Sequence, residues 1–265
     1  MTNTPMSSHK QANYYIGLMS GTSADGIDLA LVSFGENHKL THHGSYYQAY
    51  SPEMTQKITA LYCAQNNNPD NNEIDRAFSL DIELAKLFAN AITAFLLQQQ
   101  LCADDIIAIG NHGQTIRHRP DNQHPFTLQI GDANIIAAET NITTVADFRR
   151  KDMAYGGQGA PFAPAFHQQF FSSAKEARAV VNLGGIANVT LLQPNQSVLG
   201  FDTGPANTLM DQWIYQHQQK SFDDDGQWAL TGQIIPQLLE QLLADDYFSL
   251  SPPKSTGCEH CNLEW

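Results

Sequence analysis

The chain has 265 residues, of which 42% are hydrophobic and 15% charged, and its 27 acidic and 14 basic side chains give a formal net charge of -13. This composition is typical of a folded globular protein, and the acidic balance disfavours nucleic acid as a partner because phosphates would be repelled. No apolar run reaches the roughly 18 residues of a membrane helix. Residues 1–13 lack the apolar core of a secretory signal, so we expect a disordered tail there and a cytoplasmic location.

The first predicted elements form an α/β lobe, which we place at residues 14–177. Apolar runs predict a strand on each side of a turn at Gly21–Asp28 and a third strand at Tyr46–Tyr50. A short helix and then a long helix follow, the second capped by the asparagines before it. The apolar residues of the long helix form one stripe: Ile74, Phe78, Ile82, Ala85, Ala89, Ile92 and Leu96.

Further strands are predicted at Ile106–Gly110, Leu128–Ile130 and Ile142–Asp147, with a helix capped by Asp132 before the last of them. The first three strands of the lobe can form an antiparallel meander, and the later strands are expected to join in parallel through crossover helices. The segment Asp147–Pro164 is rich in glycine, proline and charge, which predicts a loop. These features indicate a mixed sheet covered by helices.

A second lobe, placed at residues 178–265, repeats the opening pattern. Ala179–Leu192 is again an apolar strand, a glycine turn and an apolar strand, followed by a strand at Ser197–Phe201 and a helix from about Asn207. The repeat suggests a duplication that would bring two turns face to face across a cleft. Fewer elements are predicted here than in the first lobe, so we expect the second lobe to be incomplete.

The turn at Gly21–Asp28 combines the groups that a phosphoryl-transfer site needs. Glycine lets backbone N–H groups approach an anion, Thr22 and Ser23 add hydroxyl donors, and Asp25 and Asp28 offer carboxylates to a metal ion. The sequence contains no G-x-x-x-x-G-K-[ST] motif, which excludes a P-loop. The same residue types favour ordinary hairpin turns, so a purely structural turn is the alternative.

Asp202 is the second candidate. A predicted strand delivers its carboxylate into Thr203–Pro205, where the Gly-Pro pair would stop the strand. Carboxylates at the C-terminal ends of strands in α/β sheets lie where ligands bind, and a general base is the role they suit. The alternative is that Asp202 accepts N–H hydrogen bonds within its own turn.

Two clusters of polar and basic residues are candidate anion receivers, with a solvated surface as the alternative for each member. One follows the strand at Ile106–Gly110 and contains His112, Gln114, Thr115, Arg117, His118 and Arg119. The other contains Arg149, Arg150 and Lys151.

A lone C-x-x-C motif lies at Cys258 and Cys261. It is compatible with half a zinc site, with a redox pair or with chance substitution. Chance is favoured because Cys63 and Cys102 are isolated elsewhere in the chain and offer no second half.

Six segments together resemble the anhydro-N-acetylmuramic acid kinase family, in the family's order and spacing. They are GLMSGTSADGID, GNHGQTIRH, LQIGDANIIAAET, ADFRRKDMAYGGQGAP, NLGGIANVT and GFDTGPANTLMD. The resemblance runs from about Tyr14 to the end of the chain. It implies the fold of the actin-like, sugar kinase and Hsp70 ATPase superfamily, with two ribonuclease H-like lobes that contain mixed sheets.

The resemblance also implies an activity. The family opens the 1,6-anhydro bond of anhydro-N-acetylmuramic acid and phosphorylates O6 with ATP and Mg²⁺, which gives N-acetylmuramic acid 6-phosphate and recycles cell-wall sugar. The implied partners are therefore ATP and an anhydro amino sugar, with no nucleic acid and no membrane, and a homodimer is left open.

The resemblance also implies site residues, which are assigned by matching positions within the shared motifs. The implied ATP-phosphate residues are Gly21, Thr22, Ser23, Ala24, Asp25, Gly26, Ile27 and Asp28, with Asn182, Gly184 and Gly185 as the facing turn. Asp202 matches the family's general base. The residues expected to meet the sugar, its lactyl carboxylate or phosphate are His112, Gln114, Thr115, Arg117, Arg149 and Arg150.

The chain departs from the family in two respects. It stops where family members continue, and Cys258 and Cys261 stand where the family usually has arginine and an aromatic residue. Two hypotheses therefore remain at this stage: an anhydrosugar kinase, or a truncated non-catalytic remnant that binds sugar or a partner chain.

Overall fold

The computed structural model describes residues 14–36, 39–62, 72–120, 122–256 and 261–263. The predicted tail at 1–13, Cys63 and Cys258 lie outside the described residues. The chain divides into two compact units, Met1–Ala160 and Pro161–Trp265, while the functional division into lobes at 177/178 stays a prediction. Within the described part of the chain, none of the helices has both the length and the apolar character needed to cross a bilayer.

The first unit contains six strands and four α-helices within its described residues. In chain order they are β1 (Tyr14–Ser20), β2 (Gly26–Phe34), β3 (Leu40–Ala49), α1 (Pro52–Thr59), α2 (Glu73–Gln99), β4 (Ile106–Arg119), β5 (Phe126–Ile130), α3 (Ala133–Thr140), β6 (Thr144–Val145) and α4 (Phe148–Ala154). As predicted, the Asp132 side chain caps α3 by accepting a hydrogen bond from the Asn134 N–H.

The strands form one mixed sheet in the order β3-β2-β1-β4-β5, with β6 beside β4. The antiparallel meander of β1, β2 and β3 and the parallel pairing of β4 with β1 confirm the prediction. The expectation that all later strands are parallel is wrong for β5, which pairs antiparallel with β4. Only residues 120–125 connect these two strands, and a parallel connection needs a dozen residues or more.

Helix α2 buries a different face from the one predicted along its N-terminal half. Asn72 caps it as expected, with its side chain accepting the Asp75 N–H. However, Ile74, Phe78 and Ile82 are 68%, 66% and 46% exposed. Phe78 and Ile82 are each two residues from the buried Leu80, and two residues turn a helix by about 200°, so these side chains lie on nearly the opposite face. The residues that do pack into the core are Leu80, Leu84, Ala85, Phe88, Ala89, Ala91, Ile92, Phe95 and Leu96.

Strand β4 continues beyond Gly110 to Arg119, so the strand end predicted at Gly110 is wrong. Its first part pairs with β1 and its second part with β5, which supplies hydrogen-bond partners along its whole length. The strand predicted at Ile142–Asp147 is reduced to the two residues of β6.

The loop predicted at Asp147–Pro164 is also wrong in part, since it contains α4 and the first turn of α5 (Ala163–Phe171). Arg, Lys, Met and Ala in Phe148–Ala154 are good helix formers, and Gly156, with φ of +89°, follows the end of α4. Pro164 lies in the first turn of α5, where the missing N–H of proline costs no helical hydrogen bond.

The second unit contains a three-stranded antiparallel sheet in the order β7-β8-β9. Its elements after α5 are β7 (Arg178–Leu183), β8 (Ile186–Leu192), β9 (Leu199–Pro205), α6 (Asn207–Gln218), α7 (Pro236–Leu243) and α8 (Asp246–Ser249). Strand β9 continues past the predicted end at Phe201 and stops at the Gly-Pro pair, as predicted. An edge strand tolerates proline at its end because one side of its ladder needs no N–H donor.

Candidate active site

The turn between β1 and β2 is held to the protein by its carbonyl oxygens. The carbonyl oxygen of Gly21 accepts hydrogen bonds from the Ala24 N–H at 3.1 Å and from Gln114 Nε2 at 3.0 Å. The carbonyl oxygen of Ala24 accepts one from Thr55 Oγ1, on α1, at 2.8 Å. The first half of the turn is thus tied to both β4 and α1.

The second half of the turn is anchored in the same way. The carbonyl oxygen of Asp25 accepts hydrogen bonds from the Tyr50 N–H at 2.9 Å and from the Tyr47 hydroxyl at 3.1 Å. The carbonyl oxygen of Gly26 accepts one from Ser20 Oγ at 3.1 Å. Four carbonyl groups of the turn are therefore bonded to the surrounding protein.

This anchoring determines the direction of the turn's N–H groups. In a trans peptide the N–H points away from the preceding carbonyl oxygen. Since the carbonyls of Gly21, Ala24 and Asp25 face the protein, the N–H groups of Thr22, Asp25 and Gly26 face the other way. Successive backbone N–H groups in a turn of this kind can make a concavity suited to an anion.

Two small residues allow this turn geometry. Ala24 is fully buried and has φ of +51°, in the left-handed region where a larger side chain would be strained. A Cβ on Gly26 would lie 2.5 Å from the carbonyl oxygen of Gln48 and 2.6 Å from the Tyr47 ring, so only glycine fits there.

The turn also presents hydroxyl and carboxylate groups. Thr22, Ser23, Asp25 and Asp28 are all exposed, and Ser23 Oγ donates to Asp25 Oδ1 at 2.7 Å. Burial and the nearby charge of Asp25 raise the pKa of Asp28. Neighbouring exposed carboxylates of this kind are suitable ligands for a hard cation.

Gln114, predicted to meet substrate, is fully buried behind the turn. The parallel register of β1 and β4 places it opposite Ser20, at the C-terminal end of β1. The neighbouring Thr115 is half-buried and its hydroxyl accepts a hydrogen bond from Gln129 Nε2 at 3.1 Å. Arg117 is ion-paired with Glu73 at 3.6 Å.

His112 and Arg149, from the two predicted basic clusters, are brought together. Arg149 Nε donates to His112 Nε2 at 2.9 Å, and His112 Nδ1 lies 2.8 Å from the carbonyl oxygen of Gly113. The imidazole is therefore neutral, with its proton on Nδ1. Burial first, and then the Arg149 charge, lower the pKa of His112, and burial also lowers the pKa of Arg149.

The glycine-rich segment after α4 folds back onto that helix. Arg149 Nη1 donates to the carbonyl oxygen of Gly159 at 2.8 Å, and the Gly159 N–H donates to Asp152 Oδ2 at 2.8 Å. A Cβ on Gly157 would lie 2.1 Å from the Asp152 carboxylate. Arg150, in contrast, is exposed and only pairs with Asp147 at 3.7 Å.

In the second unit, the predicted glycine turn lies between β7 and β8. The carbonyl oxygen of Gly184 accepts the Asn207 N–H at 2.9 Å, and that of Gly185 accepts the Thr208 N–H at 3.1 Å. The start of α6 is thereby fixed against the turn. A Cβ on Gly185 would lie 2.5 Å from Thr208 Oγ1, and Asn182 is exposed.

Asp202 lies within β9 and is held by the segment that follows α8. Its Oδ2 accepts hydrogen bonds from Ser255 Oγ at 2.9 Å and from the Thr256 N–H at 3.1 Å. Its backbone is fixed as well, because its N–H donates to the carbonyl oxygen of Lys254 at 3.0 Å and its carbonyl oxygen accepts from the Tyr247 hydroxyl at 2.7 Å. The carboxylate is therefore positioned by a distant segment and not by its own turn.

Sequence reasoning missed these supporting residues. Lys254 Nζ donates to the carbonyl oxygen of Tyr247 at 2.9 Å and lies 4.6 Å from the centre of its ring, so the segment Lys254–Thr256 is itself anchored. The KST letters just before Cys258 were the available signal, but nothing in the sequence relates them to Asp202.

The cysteines show no metal site in the part of the chain that the structure describes. Cys261 is buried and its Sγ lies 3.7 Å from Thr256 Oγ1, whereas Cys102 is exposed. No group of three or more His, Cys, Asp or Glu side chains is arranged to hold a metal among the described residues. The other half of the C-x-x-C motif, Cys258, lies outside them.

The family model of anhydro-N-acetylmuramic acid kinase matches residues 13–265. The chain belongs to this family. This membership confirms the resemblance carried by the six motifs and the actin-like, sugar kinase fold that it implied.

Several curated relatives carry the same family name. Anhydro-N-acetylmuramic acid kinase of Colwellia psychrerythraea is 58% identical over 264 residues, which covers 96% of this chain and 65% of the relative. The kinases of Shewanella sp. and Pasteurella multocida are 52% and 49% identical, with 67% and 65% of their own lengths covered. The chain thus spans about two thirds of the length of the curated relatives that it matches.

Proposed function

We propose that this chain carries the activity of its family, the ATP-dependent opening of 1,6-anhydro-N-acetylmuramic acid with phosphorylation of O6. The observation that carries the proposal is the turn at Gly21–Gly26, in which four of the six carbonyls accept hydrogen bonds, the N–H groups after three of them point away from those partners, and the exposed Thr22 and Ser23 add hydroxyl groups. Such an arrangement suits phosphate oxygens and has no evident use in a purely structural turn.

Asp202 is proposed as the general base. Both side-chain hydrogen bonds that hold its carboxylate engage Oδ2, which fixes the group while Oδ1 receives a proton. That proton comes from the water that attacks the anomeric carbon. The bond from this carbon to the bridging oxygen breaks, and O6 takes the γ-phosphoryl group from ATP, leaving ADP. The product is N-acetylmuramic acid 6-phosphate.

Mg²⁺ is proposed as the companion of ATP, and the exposed carboxylates of Asp25 and Asp28 fit it. Magnesium is usually held by one or two carboxylates together with substrate phosphates and water, so a ready-made cluster of three protein ligands is not required. When bound, the ion would spread the negative charge of the phosphates. The raised pKa of Asp28 is the local sign that a positive charge would be favourable there.

The remaining site residues are proposed in two roles. Asn182, Gly184 and Gly185 would receive phosphate in the second unit, as the resemblance implies. Thr115, Arg117, Arg149 and Arg150, together with the neutral His112, would meet the sugar, its lactyl carboxylate or phosphate by charge-assisted hydrogen bonds. The substrates are small metabolites of the cytoplasm, where we place the protein.

The test is a product assay on the purified chain with ATP, magnesium and anhydro-N-acetylmuramic acid, read by mass spectrometry. We expect N-acetylmuramic acid 6-phosphate, and a loss of at least ~100-fold in Asp202→Asn, because an essential general base contributes that much. Asparagine keeps an oxygen for the Thr256 N–H, so the variant should fold. Near-normal turnover in folded Asp202→Asn would contradict the assignment.

Thermal unfolding separates the kinase from a non-catalytic binding protein. A ligand that binds only the native state raises its stability, so a kinase should be stabilised by ATP with magnesium and also by the anhydrosugar. The exposed Thr22→Ala variant should lose the response to ATP more than the response to sugar. Stabilisation of the parent chain by sugar alone, with no product, would favour the non-catalytic alternative.

A further inference from the structure

Gln114 lies at the centre of a buried polar network beneath the phosphate turn. Its side chain has no exposed surface, and Ser20 beside it is 1% exposed. Gln114 Oε1 accepts a hydrogen bond from Ser20 Oγ. Its Nε2 lies 3.0 Å from the carbonyl oxygen of Gly21 and 3.0 Å from the Tyr62 hydroxyl. Since a buried amide is costly unless its partners are present, this network specifies one arrangement.

The orientation of the amide follows from its partners. Nε2 faces two backbone carbonyl oxygens, those of Gly21 and of Thr115 at 3.0 Å and 3.3 Å. A flipped amide would place its own oxygen against both of these acceptors, which is repulsive. The nitrogen must therefore point at the turn and the oxygen at Ser20.

The same amide reaches both ends of the turn. Gly21, at the start, is bound directly by Nε2. Gly26, at the end, is bound by Ser20 Oγ, which also contacts Gln114 Oε1 and lies 2.8 Å from the Tyr50 hydroxyl. Gln114, on β4, thus links the two ends of the turn, because it binds the start directly and the end through Ser20.

We propose that Gln114 is a positioning residue that fixes the Gly21–Gly26 turn in its phosphate-binding form, and that it does not contact the sugar. Its buried amide is fully used by protein groups, which leaves nothing to offer a substrate. The proposal rests on the proposed kinase function only for the identity of the ligand, because the control of the turn's conformation is a property of the free chain.

The experiment compares Gln114→Met with Tyr62→Phe in the whole chain. Methionine has a similar length but removes every hydrogen bond made by the Gln114 side-chain amide. Phenylalanine at position 62 removes only the hydroxyl that contacts Gln114 Nε2, and it leaves the hydrogen bonds of Gln114 to Gly21 and Ser20 in place. The first measurement is hydrogen exchange of the peptide that covers residues 20–28, without ligand. The second is the dissociation constant for ATP with magnesium.

We expect exchange in the turn to rise about tenfold or more in Gln114→Met, and the ATP dissociation constant to rise by a similar factor, which is about 1.4 kcal/mol. Tyr62→Phe should leave both values within about twofold. The two factors should be similar because the apparent dissociation constant rises in proportion as the fraction of molecules with a binding-competent turn falls.

The outcomes separate the two proposals. Unchanged exchange of the turn in folded Gln114→Met overturns the positioning role, whether or not the parent chain binds ATP. Failure of the parent chain to bind ATP overturns the kinase proposal, while hydrogen exchange still decides the role of Gln114. If Gln114→Met does not fold, Ser20→Ala removes the hydroxyl that links Gln114 Oε1 to the Gly26 carbonyl, together with its contact to the Tyr50 hydroxyl, and leaves the bond from Gln114 Nε2 to Gly21. Faster exchange at the end of the turn then supports the inference, and unchanged exchange overturns it.

Discussion

Replacing Gly26 with alanine should destabilise the first unit and distort the turn. The added Cβ would lie 2.5 Å from the carbonyl oxygen of Gln48 and 2.6 Å from the Tyr47 ring, where ordinary contacts begin near 3.4 Å. The Tyr47 ring is half exposed and can swing away, but only by giving up its hydrogen bond to the carbonyl oxygen of Asp25. The carbonyl of Gln48 belongs to β3 and cannot move without disturbing the sheet.

The size of the effect follows from these two contacts. Overpacking of this kind costs about 1–3 kcal/mol. The loss of the Tyr47 hydrogen bond adds about 1 kcal/mol. The free energy of unfolding should therefore fall by about 2–4 kcal/mol. For a unit of this size, each 1 kcal/mol lowers the melting temperature by about 2–4 °C, so a decrease of roughly 5–15 °C is expected.

Chemical denaturation and thermal unfolding of the whole chain measure this loss, with Gly17→Ala as the matched control. Gly17 lies on β1 of the same sheet, and a Cβ there would have no atom within 4 Å. The control should change the free energy of unfolding by no more than about 0.5 kcal/mol. If Gly26→Ala were as stable as Gly17→Ala, the turn would be more adaptable than the contacts imply and the reasoning would be refuted.

Two further predictions concern ionisation. Because the pKa of Asp28 is raised in the folded chain, its negative charge opposes folding above that pKa. Asp28→Asn should therefore raise the melting temperature at pH 7, and this gain in stability should shrink as the pH falls towards 4. The same variant should weaken the binding of ATP with magnesium. Burial and, less strongly, the Arg149 charge lower the pKa of His112, so the native state favours the neutral ring, and stability present above about pH 6.5 should be lost as the pH falls through the folded pKa. His112→Gln should flatten that part of a pH–stability curve, and an unchanged curve would contradict the burial of a neutral His112 ring.

The apolar strands and their order were predictable because their periodicity is strong. Strands β1, β2 and the parallel pairing of β4 follow from apolar runs and from the rules of connection. The exposed half of α2 was not predictable, because Ile74 and Phe78 share one stripe with buried residues.

The buried polar positions were the other failure, and their cause is physical. Asn111 and Gln114 look like surface residues by type, yet they are 2% and 0% exposed. Asn111 Nδ2 donates to the carbonyl oxygen of Gly131 at 2.7 Å, so its burial is compensated by a partner 20 residues away. Such compensation is visible only in the fold, and for this reason the strand was predicted to end too early, at Gly110. The anchors of Asp202 at Ser255 and Thr256 were hidden in the same way.

The fixing of Gly159 by Arg149 and Asp152 affects how the chain withstands proteases. Exposed loop tips of small residues are the usual places of proteolytic nicking, because a protease must draw the substrate backbone into an extended form. Here the Gly159 N–H donates to Asp152 and the Gly159 carbonyl accepts from Arg149, both on α4, and Gly159 itself is buried. Cleavage next to Gly159 would require these two bonds to break first, so the backbone at Gly159 is a poor protease substrate in the folded chain, unlike the exposed residues 155–158 before it.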